Sequence, residues 1–298
     1  MMNKNLWLFI VPALIWGSTW FTIKFQLGNV DPLVSVVYRY LLAGILMISF
    51  CLLTKRNMKF TLKEHGFIAL QGFLLFGVNY WLVYEAEVFL ASGLIAVAYS
   101  TLVFLNSGFG AIFLNRPIDK SILMAALFGL SGTILIFSNE FLGLTFSRET
   151  IIGTIITVLS VVIASLGNIT SARNSANHIP VIQANAYGML YGGIWMGLLA
   201  LILNRPFSFD PSASYIISLL YLTVFGSIIA FGTYLTLISR VGADKAAYAL
   251  VIIPVIAIVI SSIFENYQMT LYAAIGIILI LIGNVLAIRK KKNATKVA

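Results

Sequence analysis

The sequence is poor in charge and has a single cysteine. Charged residues make up 10% of its 298 residues and hydrophobic residues 60%, whereas about a quarter of a soluble domain is charged. A soluble domain is therefore excluded. Cys51 alone cannot form an intrachain disulfide, and neither His65 nor His178 has partners at the spacing of a metal site. We therefore expect no metal and no other cofactor.

Motifs for nucleotide-driven and catalytic chemistry are also missing. The sequence has no G-x-x-x-x-G-K-[ST] phosphate loop, which excludes a pump that hydrolyses ATP itself. It has no H-E-x-x-H motif and no paired acids within an apolar run, so an intramembrane enzyme is not expected.

Long apolar runs joined by short polar connectors fill the chain instead. A helix needs about 20 apolar residues to cross a bilayer, so the chain has room for about ten. The runs are continuous rather than alternating, which excludes an outer-membrane barrel. We predict an all-α membrane protein with spans at residues 6–24, 32–54, 66–86, 93–114, 121–139, 151–171, 180–203, 214–238, 245–264 and 269–288.

The positive charges are distributed unevenly about these spans. With the N-terminus in the cytoplasm, 15 of the 19 Lys and Arg residues lie inside, and Lys24, Arg148 and Arg205 lie outside. Cytoplasmic loops of membrane proteins are rich in Lys and Arg. The sequence therefore predicts a multi-pass protein of a bacterial-type inner (plasma) membrane with both termini cytoplasmic. The net charge of +9 then reflects membrane orientation, and no nucleic-acid partner is expected.

The two halves of the chain have a similar outline. Residues 76–115 and 226–265 each contain an apolar run, a tight turn and a second apolar run, at an offset of 150 residues. We predict one transmembrane bundle made of two five-helix repeats, residues 1–145 and 150–298. An odd number of crossings per half makes the repeats inverted, as in many transporters. The glycine spacing of residues 188–197 is expected to serve internal packing, with the protein a monomer or weak homodimer.

Short motifs in both halves resemble a known family. They are Pro12-x-x-x-Trp16-Gly17-Ser18, Arg39-x-x-x-Ala43-Gly44, Gly242-Ala243, Pro254 and Glu265. In this order they are similar to the pattern of the drug/metabolite transporter (DMT) superfamily, in its EamA-like branch, over nearly the whole chain. The first half departs from that pattern, because Phe104 and Asn115 stand where it has a mid-helix proline and a terminal glutamate.

The resemblance implies a ten-helix inverted-repeat fold with a central cavity and alternating access. It implies a secondary transporter of small metabolites such as amino acids or related compounds, with export as the usual direction. Two alternatives stay open: a carrier that expels lipophilic drugs or cations, and a small-solute channel. The first needs a deep carboxylate and the second a pore or a ring of like charges, and the sequence offers neither clearly.

Polar and aromatic residues in the middle of the spans are the candidates for a solute site. Such a site must replace water around the solute, while each unpaired charge at the bilayer centre costs at least about 2.5 kcal/mol. Amides, hydroxyls and aromatic rings meet both conditions. The candidate substrate-binding residues are Trp16, Trp20, Asn79, Tyr80, Tyr99, Asn168, Tyr234 and Tyr248. The alternative for each is a hydrogen bond that only joins neighbouring helices.

Arg39 is the one basic residue well inside a predicted span. A charge within the membrane is a functional hypothesis that needs a named partner, and Glu85 and Glu87 are the nearest acids in depth. One interpretation is an Arg39–Glu85 pair that gates the outer mouth; the other is a fixed structural pair or a side chain that reaches the interface. Pro254 removes a backbone donor and predicts a kink in the ninth span.

No Asp or Glu lies near the centre of a predicted span. Because a proton-coupled carrier needs an acid at that depth, the sequence predicts facilitated diffusion or loosely coupled antiport. The acids that remain, Glu85, Glu87 and Glu265, are expected near the outer face.

Overall fold

A computed structural model describes residues 6–115, 120–136, 147–234, 248–266 and 269–289, and these ranges are helical without any strand. The predicted all-α class is thus confirmed. The helices are α1 Leu6–Ile23, α2 Pro32–Leu53, α3 Leu62–Phe89, α4 in two segments, Ser92–Tyr99 and Leu102–Leu114, α5 Lys120–Ile136, α6 Arg148–Ala176, α7 Val181–Ile202, α8 Ala213–Tyr234, α9 Tyr248–Phe264 and α10 Leu271–Arg289.

Several of these helices are long and apolar enough to cross a membrane. Among the described residues six qualify, α1, α2, α3, α6, α7 and α8, and the two segments of α4 together make a seventh. The total of ten crossings stays a prediction. The predictions for both termini, the linker at 140–146, Gly242-Ala243 and the side chain of Tyr248 lie outside the described part of the chain.

Local side-chain hydrogen bonds set several helix starts. Asp31 accepts the backbone N–H of Leu33 at 2.8 Å, with Pro32 at the first position of α2. Thr61 and Glu64 form a reciprocal capping box at the start of α3. That box starts α3 four residues earlier than the predicted span.

α4 is broken in its middle although it contains no proline there. Its two segments meet at an angle of 43°. The hydroxyls of Ser100 and Thr101 donate to the carbonyl oxygens of Val97 and Ala98, at 2.6 and 2.7 Å. Such bonds compete with the helical backbone pattern. The break therefore places Tyr99 at the end of a segment, in the interior of the bundle.

Two helices contain π-helical turns at matching positions. Gly72–Val78 of α3 and Leu222–Ile229 of α8 are wound with i to i+5 hydrogen bonds, and their starts are 150 residues apart. A π-helical turn widens the helix and changes which backbone carbonyl oxygens are free to accept hydrogen bonds from other groups. Sequence reasoning missed both segments.

Helix packing follows a regular scheme. Three pairs join helices that are five apart in the chain: α2 packs on α7, α4 on α9 and α5 on α10. In the same way, α1 packs on α8 and α9, and the helix five positions later, α6, packs on α3 and α4. The glycines of α7 lie at these seams: a Cβ on Gly192 would approach the Gly72 carbonyl oxygen to 2.7 Å, and one on Gly193 would approach the Leu41 nitrogen to 2.7 Å. Their predicted use in internal packing is confirmed.

Candidate functional site

Trp16 joins α1 to α8 in the middle of the bundle. Its indole N–H donates to the carbonyl oxygen of Gly226 at 3.1 Å, within the π-helical segment of α8. Its ring meets Phe231 and Tyr234 edge-on, with centroids 5.1 and 5.3 Å away. The structure therefore brings two of the predicted residues, Trp16 and Tyr234, into one aromatic group.

Trp20 lies one turn further along α1 and belongs to a second group. Its ring is 4.9 Å from that of Tyr99. The Tyr99 hydroxyl donates to Asn79 Oδ1, and the Asn79 amide donates to the carbonyl oxygen of Leu75 at 3.3 Å. The indole N–H of Trp20 is buried and has no hydrogen-bond partner among the described residues. This free donor in the interior suits an acceptor atom of a bound solute.

Arg39 is held in the interior by neutral groups. It is 1% exposed, and its Nε donates to Ser227 Oγ at 3.2 Å and its Nη1 to the Tyr84 hydroxyl at 3.4 Å. Its guanidinium lies over the ring of Tyr80, 4.6 Å from the centroid, and 5.2 Å from that of Tyr40. These rings stabilise a desolvated cation. The structure therefore brings the predicted residue Tyr80 against Arg39.

The predicted pair of Arg39 with Glu85 is not formed in this structure. Glu85 instead accepts the indole N–H of Trp81 at 2.9 Å. The reason is helical geometry: Tyr84 and Glu85 are adjacent, so their side chains point about 100° apart, and it is Tyr84 that faces Arg39. The alternative, that Arg39 reaches the membrane interface, is also wrong because the side chain is buried.

Asn168 and Pro254 occupy other contacts. Asn168 donates to Asn106 Oδ1 at 3.5 Å, an atom that also accepts from Ser165 Oγ at 2.8 Å. Asn168 thus joins α6 to α4. Pro254 is buried, and α9 continues through it. Its predicted kink stays a prediction.

One end of the bundle is held together by a polar cluster that sequence reasoning missed. Lys24 donates to the carbonyl oxygens of Glu87 and Leu90 at 2.5 and 2.9 Å and pairs with Glu265 at 3.7 Å. Glu265 also accepts the backbone N–H of Ser92 at 3.2 Å and its hydroxyl at 2.5 Å. We call this set the Lys24 cluster, and the end of the bundle that carries it the Lys24 end. It joins α1, α3, α4 and α9.

Exposed loops lie beyond the Lys24 cluster. Asp210 accepts from the Asn29 amide and from the backbone N–H of Ser212, at 2.9 and 2.8 Å, and these hydrogen bonds lower the pKa of Asp210. Arg205 pairs with Asp31 at 3.3 Å. Both contacts fasten the loop before α8 onto the start of α2.

The opposite end has an amide network and an apolar cavity. Gln71 donates to Asn185 Oδ1 at 2.9 Å and accepts from Asn174 at 3.0 Å. Nearby, a cavity of about 320 Å³ opens between α3, α4 and α6. Its walls are apolar apart from Thr170 and Arg173. The cavity is therefore distinct in chemistry from the polar and aromatic groups around Trp16 and Trp20.

Comparison with known proteins identifies related chains. A family model described as the EamA-like transporter family matches residues 3–138 and 151–289. The chain is 29% identical to YedA of Escherichia coli strain K12, an uncharacterized inner membrane transporter, over 84% of this chain and 79% of YedA. It is 25% identical to YoaV of Bacillus subtilis strain 168, an uncharacterized transporter, over 91% of this chain and 92% of YoaV.

A solved structure has the same fold. It superimposes on 98% of this chain and 99% of its own length with a TM-score of 0.71, at 18% sequence identity. At that identity the likeness concerns the fold alone.

Proposed function

The chain belongs to the EamA-like transporter family, and from that premise we propose that it is an alternating-access carrier for small metabolites. Amino acids or related compounds are the proposed cargo, and export across a bacterial-type inner membrane is the proposed direction. The observation that carries the proposal is the Lys24 cluster, which lies above the interior groups of Trp20, Tyr99 and Asn79 and which we propose closes that end of the bundle. A carrier needs an interior site that is closed toward one side.

The two halves are proposed to be inverted repeats, residues 1–145 and 150–298. The packing scheme supports this, because the contacts of α1 with α8 and α9 recur for α6 with α3 and α4, and the contact of α3 with α7 recurs for α8 with α2. The matching π-helical turns of α3 and α8 support it as well. So does the family model, which matches the chain twice.

The chemistry of the interior favours a carboxylate-bearing solute over a lipophilic cation. Arg39 places a positive charge among the described interior groups, and the Trp20 N–H offers a free donor. A cation would be repelled by Arg39, whereas a carboxylate would be attracted to it. The rings of Trp16, Trp20, Tyr99 and Tyr234 supply apolar surface for the remainder of the solute.

The Lys24 end is proposed to face outward, with both termini in the cytoplasm. At the opposite end, four basic residues are exposed from the end of α2 to the first turn of α3: Lys55, Arg56, Lys59 and Lys63. Cytoplasmic loops of membrane proteins are enriched in such clusters of Lys and Arg. A monomer or weak homodimer is proposed, because the glycine seams of α7 already pack inside the bundle.

Counterflow tests the proposal. Purified protein is reconstituted in liposomes loaded with an unlabelled amino-acid mixture, and a trace of the labelled mixture is added outside. A carrier accumulates label transiently above its equilibrium level, because exchange is faster than net loss. A channel only lets label equilibrate. Absence of any overshoot, for amino acids and then for a wider metabolite mixture, would reject the carrier.

A further inference from the structure

Glu87 on α3 is an acid without a partner. It is 1% exposed, and both of its carboxyl oxygens are buried without a hydrogen-bond partner among the described residues. The other acids at this end differ: Glu85 accepts from Trp81, and Glu265 accepts from Ser92 and pairs with Lys24. Sequence reasoning expected Glu87 near the outer face; the structure places it at the Lys24 end with its side chain buried.

The charges around Glu87 are already engaged. Those that act electrostatically on its carboxyl are Lys24, Glu265 and Arg39. The Lys24 ammonium bonds the backbone oxygen of Glu87 rather than its carboxyl, and pairs with Glu265. Arg39 is held by Ser227 and by Tyr84, one turn before Glu87 on α3.

Among the residues that the structure describes, the remaining packed elements add no charge to this pocket. α4 contributes Ser92 at its start, which is bonded to Glu265. The charged residues at the start of α6, Arg148 and Glu149, are exposed.

The protonation state of the Glu87 carboxyl follows from its burial without hydrogen-bond donors. Removing a carboxylate from water costs several kcal/mol unless hydrogen bonds and a counter-charge replace the water. A neutral carboxylic acid has a much smaller cost. The closed Lys24 end therefore accommodates Glu87 as the neutral acid, and the ionised form needs water to reach it.

We propose that Glu87 is a protonation switch that controls the opening of the Lys24 end: the neutral acid keeps this end closed, and its ionisation accompanies opening. The acid holds one proton while the Lys24 end is closed. When that end opens, the proton passes to water on the same side, and a proton from that water must return before closure. This inference rests on the proposed alternating access. Because the proton leaves to and returns from the same side, the step adds pH control of opening and leaves the uncoupled or loosely coupled transport expected from the sequence as it was.

A single-cysteine labelling experiment tests the inference without knowledge of the substrate. In a Cys51→Ala background, Ala98→Cys places a thiol on α4 at a position that is 5% exposed, in the same buried core cluster as Leu90 and Ile258. Ser214→Cys places a reference thiol on the exposed start of α8. Intact cells are labelled with a membrane-impermeant maleimide between about pH 5.5 and 8.5.

The ratio of the two labelling rates removes the intrinsic pH dependence of thiol reactivity. The inference predicts that this ratio rises with pH, by up to about tenfold per unit for one proton. Glu87→Gln keeps the shape of the neutral acid but cannot ionise, so its ratio is expected to stay low and flat. Glu87→Asp is expected to restore the rise. Glu85→Gln, two residues away, is expected to leave it unchanged.

Three outcomes would overturn the inference: a rise that persists in Glu87→Gln, a flat ratio in the parent protein, or an Ala98→Cys thiol that never reacts. If the Ser214→Cys reference thiol reacts only in inside-out vesicles, the ratio of labelling rates is measured over the same pH range in those vesicles. Failure of alternating access itself has another signature. The Ala98→Cys thiol would then react equally fast from both sides of the membrane at one pH.

Discussion

The indole N–H of Trp16 and the carbonyl oxygen of Gly226 lie 3.1 Å apart and join α1 to the π-helical segment of α8. The contact crosses from one half of the chain to the other. Arg39 bonds Ser227, the next residue of the same segment. Two consecutive residues of the π-helical turn of α8 therefore bind Trp16 and Arg39 in the middle of the bundle.

Gly226 is predicted to tolerate no side chain. A Cβ there would lie 2.9 Å from Thr19 Cγ2 and 3.3 Å from Arg39 Nη2. Overpacking of this kind costs about 1–3 kcal/mol, so Gly226→Ala should lower the unfolding temperature and weaken counterflow. Gly108→Ala is the control, because no atom lies within 4 Å of its Cβ position. Equal unfolding temperatures for the two variants would contradict the prediction.

Tyr84 is predicted to stabilise the protein through Arg39. Tyr84→Phe removes the hydroxyl that accepts from Arg39 Nη1 and keeps the ring. A buried donor on a charged group then loses its acceptor, at a cost of about 1 kcal/mol or more. Thermal unfolding in one detergent measures this cost. Tyr272→Phe, at a side chain that is 50% exposed, is expected to change stability by less than about 0.5 kcal/mol.

The helices could be predicted from sequence because hydropathy and caps are local signals. The apolar runs place all the described helices, and the spans differ from the observed bounds by a few residues. Several of the aromatic and amide candidates contact one another. Trp16 with Tyr234, and Trp20 with Tyr99 and Asn79, form two interior groups.

The partners of the charged residues could not be predicted. Depth along a helix is readable from sequence, but the direction of a side chain depends on how helices pack. Arg39 and Glu85 match in depth and still face different neighbours. Lys24 counts as an outer charge in the sequence, and only the fold brings it to Glu265, 241 residues later. The π-helical turns have no local sequence signal as strong as the hydropathy and capping residues that mark the helices.

The Lys24 cluster is predicted to hold its end of the bundle closed. Lys24→Gln removes the pairing with Glu265 and weakens the contacts to the carbonyl oxygens that end α3. Opening should become easier, so the Ala98→Cys thiol is expected to react several-fold faster relative to Ser214→Cys. Arg205→Gln breaks the more exposed pair with Asp31, and such surface pairs contribute about 0–1 kcal/mol. Equal effects of both variants would show that the cluster has no special role.

The amide network at the opposite end is predicted to act as one unit. Asn174 stands 150 residues after Lys24, and it bonds Gln71, which bonds Asn185. Gln71→Leu leaves two buried amides short of a partner, which should cost about 1–3 kcal/mol for each. Thermal unfolding again measures the loss.

A second substitution separates this network from simple packing. Replacing both members of a buried hydrogen bond by apolar groups can be nearly neutral, so adding Asn185→Leu to Gln71→Leu should recover part of the lost stability. Asn177→Ala, in an exposed side chain on the same end, is the control and should change stability by less than about 0.5 kcal/mol. If the losses of the two leucine variants simply add, Gln71 and Asn185 act independently, and the network does not join α3 to α7 as a unit.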